Sequence, residues 1–240
     1  MTGVVTVLAV VGVPRSATMV GLLAGPLIVL GYLGGSVPFA YLLSRRRLRR
    51  QLDDDDVARL GSTGAADEHR PGRAGADLLA AAMTLVATTV AWELTLAATP
   101  GANTFSAVAV FSNQAIGAWV SVALWTGMAA VLGHAAPVWT GFRGGSGLPP
   151  ALALTAAYTP LLLLMAAAAF LVAYGLTRRP VTSLLAALPA MVVFAYVAWL
   201  VDLQAGWGVT NGPEVTLWTA AVAVTLFARH HRSPLLFGDG

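Results

Sequence analysis

Long apolar runs separated by short polar breaks organise this chain. Uncharged stretches cover residues 16–44, 94–142, 144–177 and 180–201, and each reaches or exceeds the roughly 20 residues that cross a bilayer as a helix. The runs are continuously apolar instead of alternating in roughly 10-residue segments, which predicts helices and not a β-barrel. A first span is read at residues 19–43, ended by the arginine run at 45–50. A second covers 78–98 and a third 108–132. Residues 148–176 are too long and too interrupted for one plain helix. Tyr158-Thr159-Pro160 should break them into two, because proline removes a ladder donor and clashes with the preceding turn. Arg178-Arg179-Pro180 ends that pair, and the sixth and seventh spans follow at 182–201 and 215–228.

The expected fold class is therefore all-α: a polytopic integral membrane protein of about seven transmembrane helices. Composition agrees, with 57% hydrophobic and 10% charged residues and a mean hydropathy of +0.74. Of the 25 charged residues, 15 fall between Arg45 and Asp77. With seven spans, 13 of the 14 arginines share one side, which the positive-inside rule assigns to the cytoplasm. The N-terminus is then outside and the C-terminus cytoplasmic, in the cell inner (plasma) membrane. A single domain at residues 19–240 carries cytoplasmic loops at 44–77 and 133–147. Residues 1–18 are set apart as an N-terminal extension. Their apolar run lacks a positive n-region and is not read as a signal peptide; an upstream start codon, with Met19 as the functional start, stands beside a real extra helix. The seven tryptophans fall mostly near span ends and read as an aromatic belt.

Cysteine and lysine are both absent, which excludes thiolate chemistry, disulfides and lysine as base or phosphate ligand. The pI near 9.8 points to anionic lipid or an anionic substrate. Nucleic acid is not expected, because no basic patch with interleaved aromatics lies outside the membrane-flanking loops. A coupled transporter is disfavoured: apart from Glu93, with Asp202 near a span end, no ionisable side chain lies deep within a span.

Candidate chemistry concentrates between Gly133 and Gly147. His134 closes the third span, and Arg143, Gly144, Gly145, Ser146 and Gly147 follow in a glycine-rich turn. Closely spaced glycines let backbone N–H groups form a nest for phosphate oxygens. The helix that starts just after should add its N-terminal amides and dipole. Arg143 would supply a permanent charge and a planar fork. A flexible turn with Arg143 snorkelling to headgroups is the plainer alternative. Arg59-Leu60-Gly61-Ser62-Thr63-Gly64 again suits a phosphate or an alcohol, or a linker. The acidic run 53–56 invites a Mg²⁺ site, but a solvated charge run balancing the nearby arginines is more economical, and no metal is assigned. His134, His230 and His231 sit at helix ends as general bases or as interfacial imidazoles.

Taken in order, Gly34-Gly35-Ser36-Val37-Pro38-Phe39-Ala40-Tyr41-Leu42, then Gly61-Ser62, then the 133–147 segment GHAAPVWTGFRGGSG, then Arg229-His230 with Leu235-Leu236-Phe237-Gly238-Asp239, resemble the bacterial PlsY family. These are acyl-phosphate:glycerol-3-phosphate acyltransferases with seven membrane helices and three cytoplasmic motifs. The resemblance covers residues from about 25 to 240. In the middle motif Gly133, His134, Pro137, Val138, Phe142, Gly144, Gly145 and Gly147 match in place. Arg143 stands where the family has its first lysine, and Ser146 replaces the second. The first motif keeps Asp56, Gly61 and Ser62; its arginine falls on Ala58, next to Arg59, and its first asparagine becomes Gly64. In the third, His230 matches, the family asparagine is lost, and Asp239 stands for the glutamate.

The resemblance implies transfer of a fatty acyl group from acyl phosphate to the 1-hydroxyl of sn-glycerol 3-phosphate, without acyl-CoA, cofactor or metal. Ser62, His134 and His230 would be the catalytic set. Arg59, Arg143, Gly144, Gly145, Ser146 and Gly147 would bind substrate phosphate. The alignment slips beyond Ser62, so the resemblance assigns no role to Arg70 or Arg73; with Arg59 they are candidates, on charge alone, to replace the missing lysine. Acyl phosphate and glycerol 3-phosphate are the expected partners, together with membrane lipids, and the chain is read as a monomer. A degenerate relative that binds lipid or a partner without turnover, and a related transferase with another acceptor or donor, remain beside this reading.

Overall fold

The computed structural model describes residues 15–39, 42, 73–97, 118–142, 144–203 and 213–230. These form seven α-helices and one short 3₁₀ turn: α1 (Arg15–Gly35), α2 (Arg73–Ala97), α3 (Ala118–Ala135), the 3₁₀ turn Val138–Thr140, α4 (Leu148–Tyr158), α5 (Pro160–Thr177), α6 (Pro180–Leu200) and α7 (Pro213–His230). No strand occurs among the described residues. Among the described residues, four helical segments are long and apolar enough to cross a membrane, at Gly75–Thr95, Ser121–Thr140, Pro160–Thr177 and Pro180–Leu200.

The break at Thr159 falls where the sequence places it. Pro160 starts α5, and Thr159 leaves the helical region at φ −140° and ψ 60°, as expected of a residue that precedes proline. The first span needs correction. Its helix is interrupted after Gly35 instead of running unbroken to residue 43: residues 36–38 are not helical, and helix is assigned again at Phe39 and Leu42. The Ser36 amide and hydroxyl both donate to the Tyr32 carbonyl, at 2.9 and 2.7 Å. Val37 precedes Pro38, which disfavours the helical region at Val37 itself, and Leu42 N–H donates to Pro38 O at 3.0 Å once the chain resumes. Residues 15–18, placed with the extension on sequence grounds, are helical and belong to α1.

Helices α1 and α3 make the most extensive helix pair. They run parallel, and Gly31 and Gly35 of α1 press on the backbone of Thr126 and Ala130. This Gly-x-x-x-Gly spacing is what allows two helix backbones to meet closely in a membrane. The interior is aliphatic, with Leu124, Met128, Val131, Leu154, Leu162, Val215 and Val222 nearly inaccessible. Buried threonines satisfy their hydroxyls on the preceding turn: Thr84 donates to Ala80 O at 2.9 Å, Thr88 to Thr84 O at 2.8 Å and Thr126 to Val122 O at 2.8 Å. These three hydroxyls are thereby not left unpaired in an apolar medium.

The tryptophan belt is corrected for two members. Trp218 is fully buried, and Trp92 is buried with its ring 5.8 Å from that of Tyr158. Both serve as core packing, whereas Trp139 is exposed. Helix α5 is the opposite case, with Leu162 its one buried residue and Leu164, Leu171, Val172 and Leu176 exposed. That apolar surface suits lipid.

Candidate active site

One end of the bundle gathers five helix termini. The Tyr32 hydroxyl at the end of α1 donates to the Ala136 carbonyl just past α3, at 2.8 Å. Asp77 near the start of α2 places Oδ1 3.9 Å from His134 Nε2 in the last turn of α3. Arg229 in the last turn of α7 reaches the glycine loop that leads into α4. Arg59, Ser62, Arg70 and Arg143 lie outside the described residues.

The loop is built by local rules. After α3 the chain makes a short 3₁₀ turn, in which Gly141 N–H donates to Val138 O at 3.3 Å and Phe142 N–H to Pro137 O at 2.9 Å. Gly141 and Phe142 both have positive φ, +61° and +65°; such backbone costs little at glycine and is strained at phenylalanine. The chain then folds back so that Gly145 N–H donates to His134 O at 3.0 Å. Gly144 and Gly145 fit only because they lack a side chain. A β-carbon on Gly144 would overlap Pro137 and the His134 carbonyl, and one on Gly145 would overlap the His134 ring. Gly147 takes φ +74° as the cap of α4.

The amides are distributed differently from the expectation of a fully open nest backed by a helix N-terminus. Gly145 N–H is committed to His134, and Leu148 N–H donates to Ser146 Oγ at 3.3 Å. Pro149 and Pro150 occupy the next helical positions and have no N–H. The first turn of α4 therefore offers no open amide, which corrects that part of the sequence reading. Among the described residues, the amides of Gly144, Ser146 and Gly147 have no backbone acceptor. The Ser146 hydroxyl caps α4.

Arg229 carries part of the family resemblance, but sequence reading assigns it no role of its own. Its Nε donates to Gly145 O at 3.2 Å, and its Nη2 donates to Gly145 O at 3.1 Å and to Gly144 O. The one signal for it was its place in the last turn of the last helix, directly before His230. His230 is half-buried, and its Nδ1 lies 2.9 Å from Leu226 O. A carbonyl only accepts, so Nδ1 carries the proton and Nε2 of the neutral ring holds the lone pair.

Close to this end, an apolar cavity of about 480 Å³ opens between α1, α3 and α7. Ile28, Trp125, Met128, Leu132, Ala221 and Val224 are among its lining residues. Leu132 is two residues before His134, and Val224 is six before His230. The same helices thus present an apolar slot and, at their ends, a polar loop with positive charge.

Fold and site together define an all-helical integral membrane protein with a glycine-loop site at one end of its bundle. The chain belongs to the glycerol-3-phosphate acyltransferase family, whose model matches residues 26–235. A glycerol-3-phosphate acyltransferase of Laribacter hongkongensis is 34% identical over 213 residues, covering 87% of this chain and 89% of that protein. One from Anaeromyxobacter sp. strain K is 31% identical over 221 residues, covering 88% and 92%. Among solved structures, the fold is similar to PlsY, an integral membrane glycerol 3-phosphate acyltransferase. Its glycerol 3-phosphate form aligns with TM-score 0.55 at 21% identity, and its lysophosphatidic acid form with TM-score 0.57 at 22%, each over 90% of this chain and 92% of the other.

Proposed function

We propose that this chain catalyses the first acylation of phospholipid synthesis, using acyl phosphate as donor and glycerol 3-phosphate as acceptor. The glycerol 1-oxygen attacks the acyl carbonyl carbon and a carboxylic ester forms. The bond from that carbon to the phosphate oxygen breaks, so the products are lysophosphatidic acid and inorganic phosphate. The donor is already a mixed anhydride, so positioning and electrostatic stabilisation carry most of the barrier reduction, and no protein nucleophile is required. His230 Nε2 accepts the hydroxyl proton. Ser62 lines the acceptor pocket, and His134 holds the glycine loop. Gly144, Ser146 and Gly147 offer amides to a phosphate, assisted by Arg143 and Arg59.

The observation that carries this reading is the convergence of Arg229, His230 and the glycine loop at one end of the bundle, beside an apolar slot that fits an acyl chain. One substrate needs the slot, and both carry a phosphate. Thirteen of the 14 arginines would lie on the site's side, which the positive-inside rule makes cytoplasmic. That sidedness supports a seven-span chain in the inner membrane, and we propose that it acts as a monomer.

The test is phosphate release by purified protein in micelles given palmitoyl phosphate and glycerol 3-phosphate. Wild type should turn over, and Ser62→Ala and Gly145→Leu should abolish release. Wild-type release no faster than that of Gly145→Leu would overturn the reading.

A further inference from the structure

Arg229 binds the two loop carbonyls from one side, and this fixes more than the carbonyls. All peptide bonds among the described residues are trans, and in a trans peptide the N–H points opposite to the C=O of the same unit. With Gly144 O turned to Arg229, the Gly145 N–H must face away, and there it meets His134 O at 3.0 Å. With Gly145 O also turned to Arg229, at 3.1 and 3.2 Å, the Ser146 N–H must likewise face away. No backbone acceptor meets it among the described residues. Without the guanidinium, both carbonyls are free to rotate toward the anion, where their partial negative charge would repel it.

We propose that Arg229 is a positioning residue that turns the Ser146 amide toward a substrate phosphate and keeps the Gly144 and Gly145 carbonyls off it. Arginine suits this task because its rigid fork spans two acceptors at once, whereas an ammonium is a point charge on a flexible stem. The role rests on the acyl-transfer reading for the identity of the phosphate, but the geometry itself does not. The glycines serve the opposite side of the loop: only a chain without β-carbons at 144 and 145 can lie this close to His134 and Pro137.

The test uses the full chain in micelles, comparing R229M and R229K with wild type while each substrate is varied in turn. In R229M the KM of one phosphate substrate should rise about 10- to 100-fold, the yield of losing charge-assisted contacts, with the other KM unchanged. R229K should fall between R229M and wild type, and it carries the comparison should R229M not fold. A residue that only holds the fold would lower the active fraction, which reduces kcat and leaves both KM values alone. That result, or unchanged kinetics, overturns the proposal.

A second readout is independent of turnover: deuterium uptake across residues 144–148 with and without inorganic phosphate. Phosphate should slow exchange in wild type and not in R229M. Equal slowing in both, or none in wild type, overturns the role of Arg229 even if turnover is normal. Protection that depends on Arg229 in a wild type with no turnover supports that role and overturns the acyl-transfer reading instead.

Discussion

Gly145 lies against the ring of His134. A β-carbon at Gly145 would overlap Nε2 and stand only 3.0 and 3.1 Å from Cε1 and Cδ2. Asp77 Oδ1 also approaches Nε2, at 3.9 Å, so a displaced ring would change that contact as well. Overpacking of this kind costs about 1–3 kcal/mol. Gly145→Ala should lower the melting temperature in micelles and cut activity at least about tenfold, the rate equivalent of the lower end of that range. Adding His134→Ala should recover much of the melting temperature, by opening the space, without recovering activity. Equal melting temperatures for the single and double variants would disprove the contact.

The crossing of α1 and α3 gives a second outcome with an internal control. A β-carbon on Gly35 would stand 2.6 Å from both the Cα and C of Ala130, and backbone has no rotamer to yield. Gly25, on the same helix, has nothing within 4 Å of such a carbon. Gly35→Ala should destabilise the protein by about 1–3 kcal/mol or more, whereas Gly25→Ala should be neutral or stabilise it by about 0.5–1 kcal/mol through helix propensity. Melting curves of the two variants in one detergent decide the matter.

The apolar cavity makes a prediction about chain length. Ala221→Phe projects an aromatic ring into a space of about 480 Å³. Its effect should depend on the donor. The KM for palmitoyl phosphate should rise, while that for a short donor such as octanoyl phosphate stays near the wild-type value. One methylene in an apolar pocket is worth about 0.8 kcal/mol, so a few displaced carbons suffice for a tenfold or larger change. Equal effects on both donors would mean that the acyl chain lies elsewhere.

Ser146 offers a gain-of-function test. Its hydroxyl accepts the Leu148 amide at 3.3 Å, a long neutral bond worth about 0.5–1.5 kcal/mol at most. A lysine there would give up that cap and add a charge-assisted phosphate contact worth about 1.5–3 kcal/mol. The new ionic contact outweighs the lost cap for binding, so Ser146→Lys should lower the KM for a phosphate substrate by about tenfold and lower the melting temperature slightly. Steady-state kinetics with each substrate varied in turn reads the first effect, and a thermal melt reads the second.

What the sequence determined by itself was whatever depends on neighbours along the chain. Apolar runs of bilayer length dictate helices, and Pro160 dictates a break at Thr159. Closely spaced glycines after His134 dictate a tight loop, and its matched motif points to the acyltransferase family. What the tertiary structure decided was everything that depends on groups far apart in sequence. Arg229 lies 84 residues from Gly145, and nothing local says that a guanidinium in α7 will hold carbonyls before α4. Trp218 carries the same residue type as the exposed Trp139, yet helix packing alone puts it in the core. Gly31 and Gly35 show no packing role until α3 is placed beside them. The physical reason is common to all three. A helix or turn is selected by short-range sterics and hydrogen bonds, whereas the direction of a side chain, and so of the amide it orients, is set by which helix lies opposite.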